Sequence, residues 1–253
     1  MRQIETSVRR YPALFALLVV IGFLAMILLP DPLIKDRSDM FLEVVAIAER
    51  AVISILAIVV LAVLGWTADA GIRNPGSVKA WAIILLPLVY LAIVFPYLFT
   101  HSWAPNMRDP RLTAIVAVDG FMSGVVEELV FRALIFLAFV QAWGRSRDAI
   151  VKAAVVSSVF FALPHLTNML FGQQPLRVFA QVGWAFVLGI AIAWFYYAGG
   201  SIWPAAFLHG ALDAIVATNR MGMKIAITPA KGLVMFSASL PVLLYAWFIL
   251  RGA

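Results

Sequence analysis

The sequence predicts an all-α fold, a polytopic integral membrane bundle of about eight transmembrane helices. Hydrophobic residues make up 64% of the 253 positions and charged residues 13%, and the mean hydropathy of +0.98 exceeds what a soluble surface allows. The apolar residues also form long continuous runs, whereas an outer-membrane barrel needs alternating segments of about ten residues. Since a helical crossing takes about 20 apolar residues, these runs are interpreted as membrane-spanning helices.

Eight such runs follow one another along the chain. The first ends at Pro30 and has no small-residue cleavage pattern behind it, so we expect it to remain as an uncleaved anchor. The second is interrupted by Glu49 and Arg50. The connections are short and contain Pro, Gly and most of the charge, which predicts one membrane-embedded domain over residues 1–253. The runs extend over residues 13–29, 42–66, 80–99, 112–143, 149–171, 178–198, 202–218 and 233–250.

Charge and cysteine content limit the classes of function. The net charge of +6 comes from Lys and Arg scattered singly or in pairs between apolar runs, a pattern typical of contact with lipid headgroups. It gives no support to nucleic acid as a partner. The absence of cysteine excludes disulfides, thiolate nucleophiles and Cys-ligated metal centres. We expect a multi-pass protein of the cell membrane, either plasma or inner membrane, and the sequence leaves its oligomeric state open.

Ionisable residues inside the apolar runs are the candidates for function. A charge within a span costs at least about 2.5 to 3.5 kcal/mol on insertion scales, so such residues are rare without a role. They cluster in three of the runs, and two of the three histidines of the chain are among them. The cluster consists of Asp119, Glu127, Glu128 and Arg132 in the fourth run, His165 in the fifth, and His209 and Asp213 in the seventh.

Helix geometry suggests different roles for the two adjacent glutamates. Glu128 and Arg132 are four residues apart and share one helix face, which predicts a structural ion pair. Glu127 is rotated away by about 100° and is left to face a cavity as a general base. His209 and Asp213 are also four residues apart, so both can face the same cavity.

Further residues are candidates for lining this cavity. Pro164 has no backbone N–H and is expected to kink the fifth run beside His165. Phe161 is expected to pack against that histidine, and Asn168 lies one turn further on the same face. Asp119 lies two turns before the glutamate pair and is expected either to line the cavity or to cap a break near Gly120.

His101 lies at the end of a run beside Trp103. We interpret it as an interfacial anchor outside the site.

The candidate residues resemble the three motifs of the CPBP intramembrane proteases, which include the type II CAAX prenyl endopeptidases and many bacterial homologues. The E-E-x-x-x-R motif is present as Glu127, Glu128 and Arg132, and F-x-x-x-H as Phe161 and His165. The third motif, H-x-x-x-N or H-x-x-x-D, is present as His209 and Asp213. The resemblance covers about residues 112–218, which we take as the protease core.

The resemblance implies an intramembrane endopeptidase that needs neither a metal nor a cofactor. Glu127 and His165 would activate a water, and His209 and Asp213 would form the oxyanion site. The substrate would be a peptide bond in a membrane-anchored protein or peptide, with or without a prenylated C-terminal Cys. An ionised Asp213 would repel an oxyanion, so this residue is expected to be a neutral donor or to orient His209, and we favour the neutral donor.

Three other functions compete with this interpretation. Glu127, His165, His209 and Asp213 are acceptable zinc ligands, although H-E-x-x-H is absent. A non-catalytic scaffold of the same fold would retain the residues without turnover. A proton-coupled transporter would also place Glu, Asp and His within the membrane, but inverted repeats are not evident in the sequence.

Overall fold

The computed structural model describes residues 2–28, 37–100, 109–221 and 228–252, with the side chains of residues 2, 95–100 and 220 left aside. All regular structure in these ranges is helical, which confirms the predicted all-α class. His101 and Trp103, the predicted interfacial anchor, lie outside the described residues.

The eight predicted runs each contain a helix, and a further helix precedes the first. A π-helical segment at Leu129–Phe136 and a 3₁₀ segment at Leu163–Met169 extend two of them. The α-helices are α1 (Arg2–Arg10), α2 (Pro12–Leu28), α3 (Asp39–Leu64), α4 (Val78–Thr100), α5 (Pro110–Glu128), α6 (Leu137–Trp143), α7 (Arg147–Ala162), α8 (Pro175–Gly199), α9 (Ile202–Arg220) and α10 (Pro229–Arg251).

Fewer helices than the predicted eight qualify as membrane spans by length and composition. Among the described residues four do: α3, α7 with its 3₁₀ extension, α8 and α10. The pair α1 and α2, bent by 101°, makes a fifth if it is counted as one span. The helix α5 is not among them, and it contains four charged residues, Arg111, Asp119, Glu127 and Glu128.

The outer faces of several helices are apolar and open to the surroundings. Leu18, Ile55, Leu86, Leu244 and Phe248, from α2, α3, α4 and α10, are each 60% exposed or more. Such side chains suit lipid and not water. Together with the candidate spans, they identify an integral, multi-pass membrane protein.

The short helix α1 was missed by the sequence analysis because it is polar overall. It is amphipathic, with Val8 buried, and the indole N–H of Trp66 donates to Glu5 Oε1 at 3.4 Å. A helix of this kind, bent sharply away from an apolar one, is typical of the membrane interface.

The helices α5 and α9 cross more closely than their side chains would normally permit. A Cβ atom at Gly124 would lie 2.4 Å from the backbone nitrogen of Gly210, and one at Gly120 would lie 3.0 Å from the backbone of Ala214. The spacing Gly120-x-x-x-Gly124 is the small-residue pattern that lets membrane helices approach backbone to backbone. This crossing brings His209 of α9 beside the two glutamates that follow in α5.

The start of α9 is fixed by polar contacts with the connection between α3 and α4. The hydroxyl of Ser201 accepts from the Trp203 backbone N–H at 3.3 Å and donates to the Asn74 carbonyl at 2.6 Å. The indole of Trp203 donates to the Ile72 carbonyl at 2.9 Å. These bonds set the register of α9, and therefore the position of His209 two turns later.

Candidate active site

A cavity of about 300 Å³ lies between helices α2, α3, α5, α7, α8 and α9. Glu127, His165, His209 and Asp213 all line it, although they come from three different parts of the sequence. Phe161 and Asn168 line it as well. Pro164, expected to kink the helix there, is also part of the lining. Sequence reasoning did not identify the other lining residues, which are Phe23, Leu24, Ile27, Arg50, Ser123, Phe131, Thr167, Gln181 and Trp184.

Glu128 and Arg132 form a buried ion pair behind the cavity wall. Arg132 Nη1 lies 2.8 Å from Glu128 Oε1, and the two side chains are 2% and 0% exposed. Arg132 Nη2 also donates to the carbonyl of Gly189 in α8 at 3.3 Å. Arg132 lies in the π-helical segment, where backbone bonds join residues five apart, and such segments are frequent at functional sites.

Glu128 also holds His209, a contact that the sequence analysis did not anticipate. His209 Nδ1 lies 2.7 Å from Glu128 Oε1. A carboxylate paired with Arg132 only accepts, so Nδ1 carries the hydrogen of this bond. Nε2 is then the ring nitrogen directed at the other acids, 3.6 Å from Glu127 Oε2 and 3.6 Å from Asp213 Oδ2.

His165 is held by the end of its own helix. The disturbance predicted at Pro164 takes the form of a change from α-helix to 3₁₀ helix at Leu163. Because Pro164 has no backbone N–H, the Phe161 carbonyl has fewer main-chain donors, and His165 Nδ1 lies 3.1 Å from it. A carbonyl only accepts, so Nδ1 donates and a neutral His165 keeps a free lone pair on Nε2.

The ring of Phe161 joins the three motifs. Its centroid lies 5.3 Å from that of His165 and 5.7 Å from that of His209, both in edge-to-face geometry. The guanidinium carbon of Arg132 lies 4.3 Å from the same centroid, within cation–π range. Gly189 leaves space for the ring, since a Cβ there would approach Phe161 Cδ1 to 3.2 Å.

Asp119 occupies neither of the positions predicted for it. It does not line the cavity, and Gly120 lies inside the continuous helix α5, so there is no break to cap. Its carboxylate pairs with Arg50 of α3, and it is Arg50 that lines the cavity. The face of α5 at Gly120 packs against α9, which leaves the adjacent Asp119 to meet α3. Arg50 carried a signal in the sequence, since a cation within an apolar run rarely lacks a role.

Glu127, His209 and Asp213 could together hold a metal ion. One ligand atom from each lies within 4.8 Å of the other two, and His165 is not part of this group. Two carboxylate oxygens and one imidazole nitrogen suit zinc. The bond from His209 Nδ1 to Glu128 is also the kind of outer contact that orients metal-ligating histidines. The residues therefore fit such an ion.

The part of the chain that contains the three motifs matches a known protein family. Residues 109–215 match the family described as Type II CAAX prenyl endopeptidase Rce1-like. This segment belongs to the CAAX protease family. The Rce1-like segment includes every site residue predicted from the sequence, from Asp119 to Asp213, and its match confirms the family resemblance that the three motifs indicated. No curated protein and no solved structure matches the chain.

Proposed function

We propose that the protein is an intramembrane endopeptidase that hydrolyses a peptide bond in a membrane-associated protein or peptide. The observation that carries the proposal is the single cavity shared by Glu127, His165, His209 and Asp213. Membership of the CAAX protease family supports the reaction class. A prenylated C-terminal tail and an unprenylated membrane peptide are both substrates to be tested.

Glu127 has the properties of the general base in this reaction. Its side chain is 18% exposed and lines the cavity, while its neighbour Glu128 is fully buried and uses one oxygen to contact both Arg132 and His209. In the proposed step, a water oxygen bonds to the substrate carbonyl carbon as its proton passes to Glu127, and the carbonyl π electrons move to oxygen. Glu127 then returns the proton to the leaving amine nitrogen as the C–N bond breaks. The free lone pair of His165 Nε2 accepts a hydrogen bond from the same water and orients it.

His209 stabilises the oxyanion in this mechanism through Nε2–H. Because Nδ1 donates to Glu128, a donor at Nε2 requires the doubly protonated imidazolium. The carboxylates of Glu128 at 2.7 Å and Glu127 at 3.6 Å lie close enough to the ring to stabilise this cation. One such donor is worth about 2.7 to 4 kcal/mol of transition-state stabilisation.

The proposal is tested with Glu127→Gln, which keeps size and removes the base. Purified protein in liposomes would be given internally quenched peptides, with and without a prenylated C-terminal Cys. We expect wild type to cleave at least one of them and Glu127→Gln to lose about 10² to 10⁴ fold in rate. The matched control is Asp148→Asn, an exposed acid-to-amide change in the first turn of α7 that should keep full activity. Wild-type turnover by Glu127→Gln would refute the mechanism, and unimpaired partner binding without any cleavage would favour a scaffold.

A zinc-dependent protease is the second candidate, because ligand atoms of Glu127, His209 and Asp213 lie within 4.8 Å of one another. A bound zinc would act as a Lewis acid toward the substrate carbonyl. Elemental analysis and a strong chelator separate the two mechanisms. The glutamate mechanism predicts less than one zinc per chain and unchanged cleavage after chelation. Stoichiometric zinc, with activity lost on chelation and restored by the metal, would establish the second candidate instead.

A further inference from the structure

Beside His165, two side-chain amides face the cavity and pair with each other. Asn168 lies near the end of the 3₁₀ segment and Gln181 lies on α8. Asn168 Nδ2 donates to Gln181 Oε1 at 3.0 Å, both residues line the cavity, and both are partly exposed to it. Nothing in the catalytic step above uses either residue.

The pair retains unused hydrogen-bonding capacity of both kinds. Each primary amide has two N–H donors and a carbonyl oxygen with two acceptor sites, and their mutual bond consumes one donor and one acceptor site. Neither side chain makes another hydrogen bond within the described parts of the chain. If the amide oxygen and nitrogen of both residues are exchanged, the pair still has the same number of unused donors and acceptor sites. The conclusion therefore does not depend on the orientation of the two amides.

A neutral donor beside a neutral acceptor matches the N–H and C=O of a peptide backbone. A substrate must be extended around the scissile bond to be cleaved, and its backbone groups then lose their helical partners. Within a membrane there is little water to replace those partners, and an unpaired amide is costly. A protein amide pair next to the catalytic histidine meets this need and makes no demand on the substrate side chains.

We propose that Asn168 and Gln181 form a subsite that binds the extended backbone of the peptide substrate beside the scissile bond. This inference rests on the proposed function, because it takes the ligand to be the peptide substrate of the endopeptidase. If the Asn168–Gln181 pair only linked the 3₁₀ segment to α8, its removal would lower stability. It would not change how strongly binding depends on one particular backbone position of the peptide.

The test combines protein variants with ester-containing peptides. Replacing one peptide bond at a time by an ester removes a backbone N–H and weakens the adjacent carbonyl as an acceptor. Dissociation constants of labelled peptides from the cleavage panel would be measured on Glu127→Gln protein in liposomes, alone and combined with Gln181→Leu or Asn168→Leu. With the amide pair intact, we expect the ester at one position to raise the dissociation constant by up to about tenfold relative to the all-amide peptide. With either leucine variant, the same ester should raise it by less than about twofold.

The matched control is Gln141→Leu. Gln141 bonds to Asp69 at 2.9 Å on the exposed surface, away from the cavity, so its removal should leave the ester pattern unchanged. Thermal unfolding of each variant separates loss of fold from loss of binding.

The outcomes distinguish this subsite from the proposed function. Equal ester effects with and without the amide pair, or no sensitive ester position, would overturn the subsite. A protein that binds none of the peptides would overturn it too. If the expected ester pattern is found but wild type cleaves no peptide, the subsite stands and the protease proposal fails.

Discussion

His209 Nδ1 and Arg132 Nη1 lie 2.7 Å and 2.8 Å from one oxygen of Glu128. Glu128 is therefore more than the partner of an ion pair, because it also fixes the ring orientation of His209 and the nitrogen that faces the cavity. The second glutamate of the motif links α9 to the end of α5. This link explains why two adjacent carboxylates are present where the proposed chemistry needs one.

The first prediction concerns this buried pair. Glu128→Ala and Arg132→Ala should each lower stability by about 3 to 5 kcal/mol, because the remaining charge is left buried without its partner. Folded yield in detergent and the denaturation midpoint measure the loss. The control is Arg145→Ala, since Arg145 and Asp69 form a pair whose side chains are 60% and 40% exposed. It should cost about 1 kcal/mol or less. Equal stability of all three variants would contradict the structural role.

The second prediction concerns the crossing of α5 and α9. Gly124→Ala adds a Cβ that would lie 2.4 Å from the backbone of Gly210, so the helices must separate. His209 then moves away from Glu128, and both stability and cleavage should fall, cleavage by at least about tenfold. Gly22→Ala is the matched control, because a Cβ there meets nothing within 4 Å. It should be neutral or stabilise α2 by up to about 1 kcal/mol. An active, wild-type-like Gly124→Ala would show that the close crossing is not required.

The third prediction is that Glu127 and His165 act on the same water. Each alanine variant should lose about 10² to 10⁴ fold in cleavage rate and still fold. If the two residues act as a unit, the double variant should be no slower than the slower single variant. Initial rates of peptide cleavage in liposomes provide the comparison. Losses that multiply in the double variant would assign the two residues to separate steps.

The sequence predicted the helices, and the residues that meet in the cavity, more completely than the contacts between them. Apolar runs identify buried helices because lipid and core both exclude charge, and intramembrane Glu, His and Asp stand out against that background. The Glu128 to Arg132 pair followed from helix spacing alone. The contact of Glu128 with His209 joins residues 81 positions apart, and no local pattern contains it. The Gly120-x-x-x-Gly124 spacing was the available signal for the crossing that creates this contact.

Asp119 shows why a position on a helix is not enough to place a side chain. Its spacing from Glu127 allowed a place on the cavity wall, but the direction it faces depends on which helix covers each side of α5. Arg50 of α3 supplies the partner, and sequence periodicity gives no information about that neighbour. The same limit applies to Gln181, an ordinary polar residue until the fold brings it to Asn168.

The last prediction decides the role of Asp213. Asp213 Oδ2 lies 3.6 Å from His209 Nε2, whereas Glu128 is closer to the ring at 2.7 Å. In the proposed mechanism Glu128 is the main support of a positive imidazole, so we expect Asp213 to act as a neutral hydrogen-bond donor. Asp213→Asn keeps a donor of similar size and should retain most activity, while Asp213→Ala should lose about 10² to 10³ fold. Cleavage rates of the two variants, with folding checked by thermal unfolding, measure the difference. An Asn variant as inactive as Ala would show instead that Asp213 works ionised, as the partner of a protonated His209.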